Sequence, residues 1–155
     1  MKLDSLDIDI MRILQTDGRK SFREISLMLD KPESTIRARY NQLVENKVLR
    51  VVAIPDPKQV NLDTMAIIAL KMDLRYLDKA AKAIAEFEDV RYIAYTSGTY
   101  DLIIEAYMRS NDDLINFMTN SLSGIEGIKE CDLSIELKLY KDAYDWLIRS
   151  GDKSI

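Results

Sequence analysis

The chain has 155 residues, of which 47% are apolar and 31% charged, a composition typical of a soluble globular protein with one ordinary domain or two small ones. It has no histidine and one cysteine, which excludes imidazole bases, Ser-His and Cys-His nucleophile pairs, disulfides within the chain, and metal sites built on thiolates or imidazoles. The longest wholly apolar run, MAIIAL, is too short to span a bilayer, and the acidic N-terminus lacks the apolar segment of a signal peptide, so we expect a cytoplasmic protein without metal, cofactor or membrane contact.

The net charge of −4 is distributed unevenly along the chain. Between Arg19 and Arg50 there are eight Lys and Arg against four Asp and Glu, a local charge of +4. Residues 61–155 hold eleven against seventeen, a charge of −6. A phosphate backbone responds to local charge, so the first third of the chain keeps nucleic acid as a candidate partner.

The first 53 residues have the periodicity of three short helices. The apolar stripe of the first, which ends near Thr16, is Leu6, Ile10, Ile13 and Leu14. The second begins after Ser21, a good N-cap residue, and its stripe is Phe22, Ile25 and Leu29. The third begins at or just after Pro32 and ends near Glu45, and its stripe is Ile36, Tyr40, Leu43 and Val44. The apolar residues Val48, Leu49, Val51 and Val52 then predict the start of a strand or an arm.

A helix, a turn of about three residues and a second helix have the spacing of a helix-turn-helix motif. In its docking geometry, the N-terminal part of the second helix reaches base edges in the major groove. The polar face of the third helix and its flanks would then present Ser34, Thr35, Arg37, Ala38, Arg39, Asn41 and Gln42. Arg37 can pair bidentately with guanine. Phosphate contacts are expected from Arg19, Lys20, Arg23, Arg39 and Lys47. The alternative is a solvated helix face on a small bundle.

A proline-containing stretch, residues 54–63, predicts a linker between this block and a second one, residues 64–155. The second block has strand patterns at residues 65–73, 90–96, 101–108 and 133–139. Helix patterns separate them, with stripes Leu77, Ala80, Ala81, Ile84, Phe87 and Leu114, Phe117, Met118, Leu122. The order βαββαβ is that of a ferredoxin-like domain. The predicted fold class is therefore α+β, with a winged-helix-like helix-turn-helix domain at residues 1–53.

Such a sheet carries helices on one face only, and in this sequence both faces of its strands are apolar. The face without helices would hold either Met65, Ile67 and Ala69 or Ala66, Ile68 and Leu70, and either Ile93 and Tyr95 or Tyr92 and Ala94. A large bare apolar face marks an interface, so we expect a homodimer that assembles further, to a tetramer or octamer. The alternative is that loops or the segment YDWLIRS, residues 144–150, cover this face.

The ordered set of motifs resembles the Lrp/AsnC, or feast/famine, family of transcription regulators over nearly the whole chain. The resemblance lies in LDSLDIDIMRILQTDGRKSFREIS at the start, in STIRARYNQLVENKVL as the recognition helix, in IPDP as the linker and in TSGTYDL between the second and third strands. It implies dimers or octamers that bind pseudo-palindromic double-stranded DNA. It also implies a small effector, an amino acid or similar metabolite, bound between the effector domains.

By this resemblance, the effector pocket includes the loop Thr96, Ser97, Gly98, Thr99, Tyr100 and Asp101. Gly98 permits a positive φ, and Asp101 can then meet the ammonium of an amino acid. The alternative is a hairpin turn in which Asp101 bonds the backbone of the loop itself. The last strand carries Cys131 and Leu133 where the family often has small hydroxyl residues, and Pro32 stands where it often has serine.

Three functions follow from these features. The first is a sequence-specific DNA-binding regulator gated by an effector. The second is an architectural protein that wraps DNA without an effector, which the departures at Cys131 and Leu133 keep open. The third is an enzyme similar to siroheme decarboxylases, which share the layout, although the missing histidine argues against it.

Overall fold

The computed structural model describes residues 2–144. Within them, residues 2–54 and 141–144 form one unit and residues 55–140 form a second. Each unit has a hydrophobic core of its own. The domain limits expected from the sequence, 1–53, 54–63 and 64–155, stay predictions.

Three helices build the first unit, as the periodicity predicts: α1 (Ser5–Thr16), α2 (Phe22–Leu29) and α3 (Glu33–Glu45). Ser21 caps α2, because its hydroxyl accepts a hydrogen bond from the backbone N–H of Glu24 at 3.2 Å. The Glu24 carboxylate accepts one in return from the backbone N–H of Ser21 at 2.8 Å. Helix α3 begins directly after Pro32, which offers no side-chain cap.

Replacing Ser21 with alanine is expected to lower the free energy of unfolding by about 1 kcal/mol, the usual effect of losing an N-cap hydroxyl.

The same cap makes the stability of the wild type depend on pH. The backbone N–H and hydroxyl of Ser21 lower the pKa of Glu24 from 4.5 to about 2, so the stabilisation is complete above the ordinary pKa and is lost as the pH falls towards 2. Urea unfolding between pH 6 and pH 2.5 measures both effects. Alanine keeps the backbone N–H, the larger of the two causes, and loses only the hydroxyl, so Ser21→Ala should keep a pH dependence shallower than that of the wild type. Complete loss of the pH dependence in Ser21→Ala, or a steeper one, would contradict this account.

The core of the first unit is formed by one face of each helix. Its buried side chains are Ile10, Met11, Leu14, Ile25, Ile36 and Leu43. The predicted stripe of α3 is wrong at Val44, which is 40% exposed. Two helical turns bring Leu43 back to almost the same side of the helix as Ile36, whereas Val44 lies one position further round and falls outside the buried face.

The stretch after α3 contains no strand. A turn follows Glu45, with Lys47 in the left-handed region at φ 57°, and residues 49–56 have no regular structure. Of the two predicted forms, a strand is wrong for this single chain. A strand needs a partner to receive its backbone hydrogen bonds, and residues 2–144 supply none here. The side chains of Val51, Val52 and Ile54 are exposed.

The second unit has the predicted order βαββαβ. After a short 3₁₀ helix at Pro57–Val60 come β1 (Thr64–Met72), α4 (Leu77–Ala85), β2 (Val90–Tyr95), β3 (Leu102–Met108), α5 (Asn111–Asn116) and β4 (Ile128–Ile135). The spatial order is β2-β3-β1-β4, and every pair is antiparallel. Ile68 of β1 lies opposite Ile104 of β3 on one side and Leu133 of β4 on the other.

Helices cover the inner face of this sheet. The buried strand residues are Ala66, Ile68, Leu70, Met72, Leu102, Ile104, Ala106 and Met108, and the buried helical ones are Ala80, Ile84, Leu114, Phe117 and Leu122. Helix α5 continues as a π-helix at Phe117–Ser121. In an α-helix, residues five apart point to different sides, whereas the wider π turn allows both Phe117 and Leu122 to face the core.

The last strand lies earlier in the chain than its alternating pattern predicts, because β4 begins at Ile128 and not near Leu133. The pattern extends to Leu139, but β4 ends at Ile135, and Leu137 is 95% exposed. The pairing stops close to Thr64, the first residue of β1. Ala66, opposite Ile135, is the last β1 residue paired with β4, and Met65 accepts the final hydrogen bond from the backbone N–H of Glu136 at 2.9 Å.

The outer face of the sheet, the one without helices, settles the two alternatives left by the sequence. It carries Met65, Ile67 and Ala69 of β1 and Tyr92 and Ala94 of β2, because their neighbours along each strand point towards the helices. Residues 145–150 of the segment YDWLIRS lie outside the described residues. No helix within residues 2–144 is long and apolar enough to cross a membrane.

Candidate DNA-binding surface and effector loop

The polar face of α3 is open to solvent along its length. Ser34, Ala38, Asn41 and Gln42 are exposed and Thr35 is half-buried. These side chains lie on the side of the helix that turns away from buried Ile36 and Leu43. The helix therefore presents a row of small and amide side chains with none of the first unit's core on that side.

Arg37 is held in place without being buried. Its Nη2 donates to Glu33 Oε1 at 2.8 Å, and its guanidinium carbon lies 4.7 Å from the ring centre of Phe22 in α2. The side chain is still 56% exposed. An exposed ion pair of this kind contributes little to stability, so the guanidinium can exchange Glu33 for another acceptor.

Arg39 is engaged within the fold. Its Nη1 lies 2.8 Å from Asp4 Oδ2 and 3.3 Å from Asp7 Oδ1, and the Asp7 side chain is fully buried. The backbone N–H of Asp7, followed by the Arg39 guanidinium, holds the pKa of Asp4 below its usual value. The guanidinium thus ties α3 to the first turn of α1, and sequence reasoning missed this pairing.

The remaining predicted phosphate contacts differ in how firmly they are held. Arg19 is 94% exposed and lies 3.4 Å from Asp17, and Lys20 pairs with Glu24 at 3.1 Å. Arg23 and Lys47 are exposed. Neither has an ion-pair partner among residues 2–144.

The loop between β2 and β3, residues 96–101, is closed by its own hydrogen bonds. The Thr96 hydroxyl donates to the Tyr100 carbonyl at 2.9 Å, and the Thr96 N–H donates to the Asp101 carbonyl at 2.9 Å. Gly98 has a φ of 136°, the positive value expected from the sequence. No atom lies within 4 Å of the place where a Cβ would stand, so the space over this glycine is open. Ser97 and Thr99 on either side are exposed.

The carboxylate of Asp101 points back into the sheet. Its Oδ2 accepts from the backbone N–H of Met72 at 2.8 Å, and the Lys71 ammonium lies 3.4 Å away. These two donors, the N–H of Met72 first, hold the pKa of Asp101 below its usual value. The side chain is only 11% exposed. In this chain Asp101 fixes the loop to the end of β1, whereas the alternative from the sequence has it bonding the backbone of its own loop.

The loop also reaches the last strand. The Tyr100 hydroxyl donates to Asp132 Oδ2 at 3.2 Å, and this hydrogen bond raises the pKa of Tyr100. The sequence did not predict a role for Asp132. Its position between Cys131 and Leu133, two residues of the predicted effector site, was the signal that could have indicated one. Cys131 and Leu133 are exposed, opposite Leu70 and Ile68 of β1. Partial desolvation raises the pKa of the Cys131 thiol, so it is protonated at neutral pH. Within residues 2–144, no cluster of Asp, Glu and Cys could hold a metal ion.

Two family models match the chain over these two units. The AsnC-type helix-turn-helix domain matches residues 3–44, and the Lrp/AsnC ligand binding domain matches residues 65–146. The second match alone covers more than half of the chain. The chain belongs to the Lrp/AsnC family of transcriptional regulators.

Relatives of this Lrp/AsnC protein match it from end to end. The HTH-type transcriptional regulator PH0140 of Pyrococcus horikoshii is 32% identical over 145 residues, covering 93% of this chain and 92% of the relative. The HTH-type transcriptional regulator FL11 of the same organism is 30% identical over 148 residues, covering 95% and 97%.

Solved structures have the same fold. A transcriptional regulator of Neisseria meningitidis, NMB0573, in complex with L-Met, superposes with a TM-score of 0.85 at 23% identity, covering 93% of this chain and 96% of that one. AsnC of Escherichia coli gives a TM-score of 0.83 at 22% identity, covering 94% and 99%. The predicted α+β fold is confirmed.

The family match also favours a regulator over the enzyme among the three functions. This Lrp/AsnC chain is a transcriptional regulator with a DNA-binding helix-turn-helix domain and a ligand-binding domain. Its named relatives are transcriptional regulators too, so nothing supports the siroheme-decarboxylase-like enzyme.

Proposed function

We propose that this regulator binds double-stranded DNA in a sequence-specific manner through α3, as a homodimer in the cytoplasm, and that an amino-acid-like effector modulates it. The observation that carries the proposal is the exposed polar face of α3 with Arg37 poised beside it. Base contacts come from Ser34, Thr35, Arg37, Ala38, Asn41 and Gln42. The two α3 helices of a dimer enter major grooves one helical turn, or a multiple of one turn, apart.

The phosphate contacts in this proposal are fewer than the sequence indicates. Arg19, Lys20, Arg23 and Lys47 remain, because within residues 2–144 their side chains either have no ion-pair partner or are held by ion pairs that water already screens. Arg39 is assigned to the fold instead. Its guanidinium would have to leave buried Asp7 in order to reach a phosphate.

Replacing Arg37 with alanine is expected to weaken binding to the cognate site by about 1–3 kcal/mol and to relax the preference at one base position. Competition binding against single-base variants of the site measures both. Replacing Arg23, a phosphate contact in this proposal, is the matched control. Arg23→Ala should weaken binding about equally on all sequences and reduce the slope of log affinity against log salt by about 1. A uniform loss for Arg37→Ala would remove its base-reading role.

The dimer is proposed to form through the outer face of the sheet. Ile67 and Tyr92 are 39% and 47% exposed at its surface, and β1 runs through the middle of the sheet. Half-buried Met65, Ala69 and Ile103 extend the apolar surface around them. A second copy would bury this face against its own equivalent, the arrangement that a two-fold axis produces.

Replacing Ile67 with glutamate is expected to convert the dimer into monomers, because it buries a second carboxylate directly opposite Glu105 in the middle of the interface. Light scattering coupled to size exclusion measures the mass. Leu74, 67% exposed in the turn after β1, gives the control variant Leu74→Glu, which should stay dimeric. A dimer that survives Ile67→Glu would place the interface elsewhere.

The effector is proposed to bind at the loop of residues 96–101 together with the middle of β4. The open space over Gly98 leaves room for it, and exposed Ser97, Thr99, Cys131 and Leu133 offer contacts. Thr96, Tyr100 and Asp101 position the loop through the hydrogen bonds described above. The complex of the similar regulator NMB0573 with L-Met supports an amino acid as the ligand class.

Fluorescence anisotropy of labelled DNA from upstream of the protein's own gene tests the proposal. The titration runs at fixed salt, with excess random competitor, with and without a pool of amino acids. Binding that resists competitor, and that shifts with the pool, supports the effector-gated regulator. Binding that competitor abolishes would indicate an architectural protein and contradict sequence-specific recognition.

A further inference from the structure

A cavity of about 500 Å³ lies within the second unit, at the opposite end of the sheet from the effector loop. Its lining includes Asp89, just before β2 begins, and Arg109, just after β3 ends. The loop of residues 96–101 joins the other ends of the same two strands. Strands of six and seven residues separate the two places by roughly 20 Å. The cavity is therefore distinct from the proposed effector loop, and its volume is in the usual range for small-molecule sites.

Three of the charges that line this cavity are not neutralised by one another. Arg109 has no hydrogen bond or ion pair within residues 2–144, and neither do the carboxylates of Glu88 and Asp89. The guanidinium and the carboxylates thus share one cavity without meeting at ion-pair distance. The other two charged residues of the lining, Arg91 and Asp113, are engaged with Glu105 and with the Ser110 hydroxyl.

The lining also has an apolar part. Phe117 is 3% exposed, and its ring packs edge-on against Phe87 with 5.5 Å between centres, so its position is fixed by the core. Leu62, half-buried just before β1, is part of the same lining. A ligand in this cavity meets a small apolar patch made by Leu62 and the accessible edge of Phe117, together with one cation and two anions that have no partner among residues 2–144.

We propose that this cavity is a second small-molecule site, for a zwitterionic metabolite with a large apolar side chain. The ligand carboxylate pairs with Arg109, its ammonium pairs with Asp89 or Glu88, and its side chain lies against Phe117. A zwitterion is the class that satisfies both signs of charge at once, whereas a dianion would meet the two carboxylates and a diamine would meet the guanidinium.

Calorimetric titration of the full-length protein tests this site, with L-phenylalanine, L-tyrosine and L-methionine as probes. For the strongest binder, the amide that lacks the carboxylate and the acid that lacks the ammonium should each bind at least about tenfold more weakly. Arg109→Gln should cause a similar loss. Lys82→Gln, which removes an exposed cation on α4, is the matched control and should bind as the wild type does.

A loop variant separates this site from the proposed effector site. Ser97→Trp fills the open space beside Gly98 and should leave binding at the cavity intact. Binding that is lost in Ser97→Trp but kept in Arg109→Gln would assign the ligand to the loop. It would overturn the second site while leaving the proposed regulator intact. Failure of all three probes to bind in an Arg109-dependent way would overturn it as well.

Discussion

Replacing Arg39 with methionine is expected to lower the free energy of unfolding by about 2–4 kcal/mol, because it leaves the buried carboxylate of Asp7 without its cation. The Asp7 side chain is fully buried, and Arg39 Nη1 lies 3.3 Å from its Oδ1. Methionine keeps most of the aliphatic stem of arginine, so the lost packing is small. Chemical denaturation followed by circular dichroism measures the change.

Arg37→Met on the same helix is the matched control. Its ion pair with Glu33 is exposed, so the variant should lose less than about 1 kcal/mol of stability while losing DNA affinity. Adding Asp7→Asn to Arg39→Met should recover part of the loss, because an amide is less costly to bury than a charge. Unchanged stability in Arg39→Met would return Arg39 to the predicted phosphate contacts.

Replacing Gly127 with alanine is expected to lower the free energy of unfolding by about 2–4 kcal/mol, through backbone strain and steric overlap together. Gly127 has a φ of 92°, and an added Cβ would stand 2.5 Å from the Cβ of Tyr76. That atom is close to the backbone of Tyr76, the residue before α4, so it cannot swing away. The carbonyl of Gly127 also accepts a hydrogen bond from the N–H of Asp73 at 2.7 Å, and this bond holds the backbone of Gly127 close to Tyr76. Thermal and urea unfolding measure the loss.

Gly124→Ala provides the comparison three residues away. This glycine has no positive φ and no atom within 4 Å of an added Cβ, so the change should be within about 1 kcal/mol. Equal effects at the two glycines would show that the contact with Tyr76 is not what requires Gly127.

The elements of the fold were predictable because each has a strong local signal. The capping residue Ser21 and the break at Pro32 set the start of α2 and of α3. Strand-like and helix-like periodicities gave the order βαββαβ, although the strand that was one of two forms predicted after α3 is absent from the described residues and both ends of β4 were misjudged. The C-terminal end of β4 depends on where β1 begins, which is a property of the partner strand and is invisible in the pattern of β4 itself.

The side-chain roles at the candidate sites were harder to predict because they depend on partners far along the chain. Arg39 meets Asp7 at a separation of 32 residues, and Asp101 meets the N–H of Met72 at a separation of 29. Helix geometry predicts the direction of the Arg39 side chain. It does not predict that the buried carboxylate of Asp7 lies in that direction. Asp132 and Gly127 were overlooked for the same reason, since their importance comes from Tyr100 and Tyr76.

The strand order β2-β3-β1-β4 also has a consequence for biosynthesis. The first strand to leave the ribosome is an inner one, and β4, which pairs with its far edge, is made only after α4, β2, β3 and α5. At translation rates of about 5–20 residues per second, the newly made β1 waits several seconds for that neighbour. Its apolar run MAIIAL has an unpaired edge throughout this interval. The nascent chain is therefore most in need of a chaperone after the DNA-binding helices have formed and before the last strand is made.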